Sequence, residues 1–263
     1  MARSRYSNHR RRRRGSSGFL YKLLSVLVIC GCLIAALTLF FRVDTIQVSG
    51  QSRYTAQEIQ EASGIRAGDN LLLLNKYNAS GSIAEQLPYI EEIRIHKELP
   101  DTLRIEVQEC ETPVAVVQDG SAWLISSGGK GGKGKVVDQI DASAAGDYAQ
   151  VTGCTLLAPS IGSEVVLGSE FSLQQESLLG LLSALDEEGM LPNLDSISLE
   201  DLSVIRMGYL DRFTVKLPYG ADYASKMRIL KLAIESDYVQ DNMTGTFDMT
   251  REDGRVYLDQ STR

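Results

Sequence analysis

The chain has 263 residues, a mean hydropathy of −0.10, and 27 Lys and Arg against 34 Asp and Glu, for a formal net charge of −7. Near-zero hydropathy excludes a multi-span membrane protein, and two histidines with four cysteines leave little room for a His/Cys metal site or a disulfide framework. The charge averages two unlike parts. Residues 1–42 hold nine basic residues (Arg3, Arg5, Arg10 to Arg14, Lys22 and Arg42) and no acid, which leaves 18 of the 27 basic residues against all 34 acids, a net of −16, for the rest.

A basic tail, residues 1–22, precedes an uncharged apolar run from Leu23 to Phe41. As a helix those residues rise about 28 Å, close to the hydrocarbon thickness of a bilayer. A helix satisfies its own backbone groups, as lipid requires. The run is longer than a signal-peptide core and ends in bulky Leu39-Phe40-Phe41, which favours an uncleaved anchor. Ile29-Cys30-Gly31-Cys32 loosely matches a lipoprotein box, but mostly apolar residues continue after Cys32. The Arg10–Arg14 run sets the tail on the cytoplasmic side and everything after Phe41 outside. It reads as a topology signal rather than a nucleic-acid site, since no aromatic residues interleave it.

Residues 42–110 read as one small module. Val43–Val48 alternates as a half-buried strand. Thr55-Ala56-Gln57-Glu58 is a capping box opening a helix to Ser63, with Gly64 at its end. Ser82-Ile83-Ala84-Glu85 reads as a second box, opening a short helix that stops near Pro88. Ile90, Ile93 and Ile95 mark a strand. Leu103, Ile105 and Val107 alternate with Arg104, Glu106 and Gln108 in the next. Strand, helix, helix, strand, strand predicts a three-stranded sheet with two helices on one face.

Residues 111–259 read as a second, β-rich module with two helices, followed by a tail at 260–263. Strands are expected at 113–117, 122–125, 136–137, 148–152, 197–199, 204–207, 213–217, 246–249 and 256–258. Helical spacing joins Phe171, Leu178, Leu181, Leu182 and Leu185, and later Tyr223, Met227, Leu230 and Ile234. Ser126–Lys135 is rich in Gly and Lys. Gly129, Gly134 and Lys135 fit a P-loop up to its last place, where Val136 stands instead of Ser or Thr. A flexible hairpin tip with solubilising lysines is the preferred reading. The last two strands would flank Glu252-Asp253-Gly254, an Asp-Gly turn.

These pieces, in this order behind one anchor, resemble the cell-division FtsQ/DivIB family. The resemblance rests on Val48-Ser49-Gly50, Glu58-Ile59, Gly64 and Gly68 with Asn70-Leu71-Leu72, Leu87-Pro88-Tyr89-Ile90, Leu99-Pro100 and the strand Thr102–Val107. Glu109 and Pro113-Val114-Ala115 continue it, then Val151-Thr152-Gly153, Asp222 and Lys226. It covers 23–117 best, 213–258 moderately and the middle poorly. The basic insert at 126–135 departs from the family pattern. So does Thr250, which with Arg251 beside it occupies the place of a family arginine.

The resemblance implies an α+β fold: one transmembrane helix, a βααββ POTRA-like domain and a mixed β-rich domain. It also implies a non-enzymatic, single-pass type II protein of the division septum. Such a protein binds FtsL and FtsB/DivIC-type partners and helps control septal peptidoglycan synthesis. On this chain the partner contacts fall on Arg251, Val256, Tyr257 and Leu258, where a terminal strand offers an unpaired edge.

No cofactor, metal, catalytic, nucleic-acid or small-molecule site is expected. His9 and His96 lack metal-spaced neighbours, and Ser225-Lys226 is too close in sequence to face across a helix. Cys110 and Cys154 are the outer cysteines that a bridge would use, and Cys30 and Cys32 lie in the apolar run. The alternatives are a POTRA-bearing envelope-assembly or secretion factor and, further off, an anchored wall hydrolase using a carboxylate pair.

Overall fold

The computed structural model describes residues 17–129, 133–236, 238–240, 242–251 and 257–260. The Arg10–Arg14 run, the centre of the Gly/Lys insert, the Glu252-Asp253-Gly254 turn and Val256 lie outside the described residues.

Helix α1 (Ser17–Phe40) contains the apolar run except for its last residue, Phe41. Phe19–Phe40 is long and apolar enough to cross a membrane, and it is not buried against the rest of the chain. The helix begins ahead of Leu23. Lys22 propagates a helix as well as most residues, and near a membrane boundary its long stem can carry the ammonium to water.

The first sheet has the expected βααββ order. Strand β1 (Thr45–Ser49) pairs in parallel with β3 (Thr102–Glu109), and β2 (Ile90–Glu98) pairs antiparallel with β3 on its other side. Helix α2 (Ala56–Ser63) starts where its capping box places it. Thr55 accepts from the Glu58 N–H, and Glu58 accepts from the Thr55 N–H (2.8 Å). Gly64 closes it in the left-handed region at φ 69°. Helix α3 (Lys76–Gln86) corrects the second expected box. It begins at Lys76, well ahead of Ser82, because Asn75 caps it by accepting from the Tyr77 and Asn78 N–H groups. Ser82 and Ile83 therefore sit inside the helix, where Ser82 accepts from the Gln86 side chain (2.9 Å) and Ile83 is buried. Ile59, Ala62, Ala79 and Ile83 of the two helices pack on Ile95, Leu103, Ile105 and Val107 of the sheet.

The second sheet has nine strands. They are β4 (Val114–Gln118), β5 (Ser121–Ile125), β6 (Val136–Asp141), β7 (Gln150–Thr152), β8 (Leu194–Ser198), β9 (Ile205–Tyr209), β10 (Phe213–Leu217), β11 (Gly245–Asp248) and β12 (Tyr257–Asp259). Their order is β12-β11-β10-β9-β8-β7-β4-β5-β6. The pairs β4/β7, β7/β8 and β10/β11 are parallel. Helices α4 (Ser172–Glu187) and α5 (Tyr223–Ile234) cover one face. Leu178, Leu181, Leu182 and Leu185 meet Tyr223, Met227 and Leu230 over Ile197, Met207, Val215 and Phe247.

Within 126–135 the described residues at either side of the tip are more packed than the expected solvated hairpin, although Lys133 is exposed. Ser126, Ser127 and Gly129 are buried. The Ser127 hydroxyl lies 2.9 Å from an Asp186 carboxylate oxygen and 3.2 Å from one of Glu91, and the Gly128 N–H donates to Glu91 (3.0 Å). Lys135, the P-loop-like lysine, donates to the Ile90 carbonyl (2.8 Å). Nearby, the Tyr89 hydroxyl lies 3.0 Å from an Asp138 carboxylate oxygen. Tyr89 and Cys110 also join Ala115, Ala122, Leu124, Val137 and Ala145 in a small core. The insert is thus part of the joint between the two sheets. Its partners come from β2 and α4, far away in sequence, so composition alone reads it as a loop.

Candidate functional site

Strand β12 stands at the end of the nine-stranded order, and its only strand partner among the described residues is β11. The pairing sets Tyr257 opposite Asp248, Leu258 opposite Phe247 and Asp259 opposite Thr246. Alternation then sorts the side chains. Leu258 is partly buried against the core that holds Phe247, while Tyr257 and Asp259 face outward with Asp248 and Thr246. Tyr257 is 37% exposed. The Arg251 guanidinium sits 4.6 Å from its ring centre, a cation–π contact. Of the four residues expected at this edge, Arg251 and Tyr257 form one outward patch, Leu258 points inward, and Val256 lies outside the described residues.

A cleft of about 430 Å³ opens beside this edge. One wall is the turn Pro218–Asp222 with Ser225, Lys226 and Ile229 of α5. The other is Met249, Thr250 and Arg251, which follow β11. Asp222 starts α5 by accepting from the Ser225 N–H (3.2 Å) and hydroxyl (2.6 Å), and these bonds hold its carboxyl below the usual range. Lys226 donates to the Met249 carbonyl (2.7 Å), which ties α5 to the end of β11. Asp248 accepts from the Thr250 hydroxyl (2.7 Å) and N–H (3.0 Å). Those bonds lower its pKa, and the Lys216 and Arg251 charges lower it further. At neutral pH the rim therefore carries fixed anions beside Lys226 and Arg251, so it suits a partner of mixed charge.

The sequence places Asp222 in the turn that leads into a helix and Lys226 on that helix, and gives neither a role. Their spacing is local, whereas the Met249 carbonyl that gives Lys226 its position is 23 residues away.

The chemistry elsewhere is sparse. Among the described residues no three His, Cys, Asp or Glu side chains are placed to hold a metal ion. Cys110 and Cys154 are free thiols in different cores, and burial pushes them up to about 12 and about 11. His96 lies 3.9 Å from Glu106 on the surface of the first sheet.

Comparison with known proteins matches residues 41–109 to the POTRA domain, FtsQ-type. The chain is 33% identical over 90 residues to the cell division protein DivIB of Clostridium botulinum strain Hall, covering 34% of this chain and 35% of that protein. It is 29% identical to the cell division protein FtsQ of Geobacter sp. strain M21, over 64% of this chain and 55% of that one. The FtsQ of Syntrophotalea carbinolica is 27% identical over 78% of this chain and 72% of its own length. The chain thus spans about a third to a half of the first two relatives.

Proposed function

We propose, from the support that the FtsQ-type POTRA domain and these relatives give to the FtsQ/DivIB family, that this chain is a scaffold of the bacterial division machinery. Helix α1 is its single membrane pass, with the basic tail in the cytoplasm and two outer domains, residues 42–110 and 111–259. It works at the septum without catalysis. It binds FtsL and FtsB/DivIC-type partners and through them helps control peptidoglycan synthesis.

The observation that carries this reading is the position of β12. A strand at the end of a sheet has backbone N–H and C=O groups on its outer side, ready to pair with an incoming strand. Arg251 and Tyr257 give that edge an anchor of the kind enriched at interfaces, and the cleft beside α5 can take the segment that follows a paired strand. An acidic outer part complements a basic or mixed-charge partner and steers its approach.

Reconstituted full-length chain, titrated with FtsL and DivIC-type partners, tests the reading. A chain ending at Thr250 should lose most of its affinity, and affinity of the whole chain should fall as salt rises. Undiminished binding by the shortened chain would rule out the edge. A fluorescent fusion spread evenly around dividing cells would instead favour the envelope-assembly alternative.

A further inference from the structure

The chain leaves α1 by pairing with another stretch of itself. The Leu71 N–H donates to the Phe41 carbonyl (2.8 Å), the Val43 N–H to Asp69 (2.8 Å) and the Gly68 N–H to Val43 (2.8 Å), with Arg42 and Asn70 as an antiparallel bridge. In an antiparallel pair one chain approaches as the other departs. Residues 41–43 lead away from α1, so residues 69–71 lead back towards it. One further step of that register would set Leu72 level with Phe40, the last residue of the apolar helix.

There the chain turns sharply. Asn70 Oδ1 accepts from the Leu72 and Leu73 N–H groups (3.0 and 3.1 Å), and the Leu74 N–H donates to the Asn70 carbonyl (3.1 Å). The tip of the turn is Leu72-Leu73, 44% and 80% exposed, and Tyr77 in the first turn of α3 is 89% exposed. One exposed apolar residue needs no explanation, but three large ones at one tip do. Lys76 and Lys97 line the surface beside them, and Lys97 donates to the Leu72 and Leu74 carbonyls (3.1 and 2.8 Å), which stiffens the turn. Paired backbones lie about 4.8 Å apart, so Leu71, the residue before the tip, lies about one strand spacing from Phe41, which follows α1, and interfacial apolar groups enter a bilayer by roughly 5–10 Å.

We propose that the Leu72-Leu73 turn with Tyr77 is a second membrane contact. It enters the lipid interface beside α1 and holds the first sheet in one orientation on the bilayer. The two leucines sit among the upper acyl chains and Tyr77 at headgroup level, where amphipathic rings are favoured. Arg42, Lys76 and Lys97 face anionic headgroups. The occupant is the lipid interface because the backbone register aims the tip at the end of the membrane helix. The inference rests on α1 spanning the membrane.

Tryptophan fluorescence on the full chain, in vesicles of phosphatidylethanolamine and phosphatidylglycerol, tests it. Three variants, Val28→Trp, Leu73→Trp and Tyr238→Trp, are compared after subtracting the signal of the native Trp123. Val28 lies within α1, and Tyr238 is an exposed residue that follows α5. Brominated lipid should quench positions 28 and 73 several-fold more than position 238, and aqueous iodide should quench 238 most. If position 28 is quenched by brominated lipid and 73 behaves like 238, the membrane contact is overturned while α1 still spans. If position 28 also escapes brominated lipid, the spanning reading fails and the contact fails with it.

Discussion

The nine-stranded sheet ends in two different ways. At the β6 end it is closed in part: the Val136 N–H donates to the Ser163 carbonyl (2.9 Å) and the Gly162 N–H to the Val136 carbonyl (2.8 Å) at the start of the strand. A small core with Tyr89 and Cys110 covers the face opposite the main core, and the Ser126–Lys135 segment bonds to Glu91 and Ile90 of the first sheet. At the β12 end no further strand pairs with it among the described residues. The last strand is three residues long, only its inner face meets the core, and its outer face shows Tyr257 under Arg251. The β6 end has the longer strand, six residues against three, but length is not what covers it. What separates them is what the neighbouring chain supplies. The β6 end joins the two sheets, and the β12 end is the edge at which the proposed function places a partner.

The largest expected effect comes from breaking the support of the β12 end. Phe247 is fully buried and its ring lies 4.9 Å from that of Phe213. Phe247→Ala should cost about 3–5 kcal/mol in denaturant unfolding and abolish partner binding, because β12 rests on β11. Next comes Glu109, where the first sheet runs into the second. Its carboxylate accepts from the N–H groups of Ser52 (3.0 Å), Arg53 (2.6 Å) and Tyr54 (3.2 Å) and from the Ser52 hydroxyl (2.8 Å). Glu109→Ala should cost about 1–3 kcal/mol, since those donors lose their acceptor.

The same joint has a pH signature of two signs. Burial would raise the Glu109 pKa, but the hydrogen bonds from Arg53, Ser52 and Tyr54 outweigh it and hold the carboxyl below its usual range. Its stabilisation is present above the ordinary carboxylate pKa and lost as pH falls through the lowered value. Burial pushes Glu91 the other way, aided by the Asp186 charge and opposed by bonds from Ser126, Gly128 and Ser127. Its contribution is present below the ordinary pKa and lost as pH rises through the raised value. Thermal unfolding followed from acid to neutral pH should therefore show Glu91→Gln gaining on the parent as pH rises, and Glu109→Gln losing on it.

The smallest effect on folding belongs to the β12 end. Arg251→Ala should change stability by about 0.5–1 kcal/mol, the scale of an exposed cation–π pair. The same change should weaken partner binding roughly tenfold or more in a titration. A loss of stability as large as that of Phe247→Ala would mean that Arg251 supports the fold rather than the edge.

Much of the architecture is legible in the sequence because its causes are local. The Thr55/Glu58 box and Gly64 fix α2 within a few residues, and the alternation of Leu103, Ile105 and Val107 fixes the buried face of β3. Leu178 to Leu185 and Tyr223 to Leu230 mark the buried stripes of α4 and α5 in the same way. The start of α3 is misplaced by sequence because Ser82–Glu85 also satisfies the cap pattern, while the cap that forms, Asn75, lies upstream. The strand order and the role of the 126–135 segment are not legible. They depend on pairings such as β4 with β7 and Ser127 with Asp186, which bring together residues far apart in the chain. At the candidate site, the edge position of the last strand is visible from sequence. The inward turn of Leu258 and the hold of Lys226 on Met249 need the register of β11 and β12.

Hydrogen exchange of the full-length chain, with and without a DivIC-type partner, tests the central claim most directly. The account predicts that the amides of Tyr257–Asp259 gain protection on binding, while those of β6 at the other end do not change. Protection that appears along β6, or anywhere but β12 and its neighbouring cleft, would contradict it.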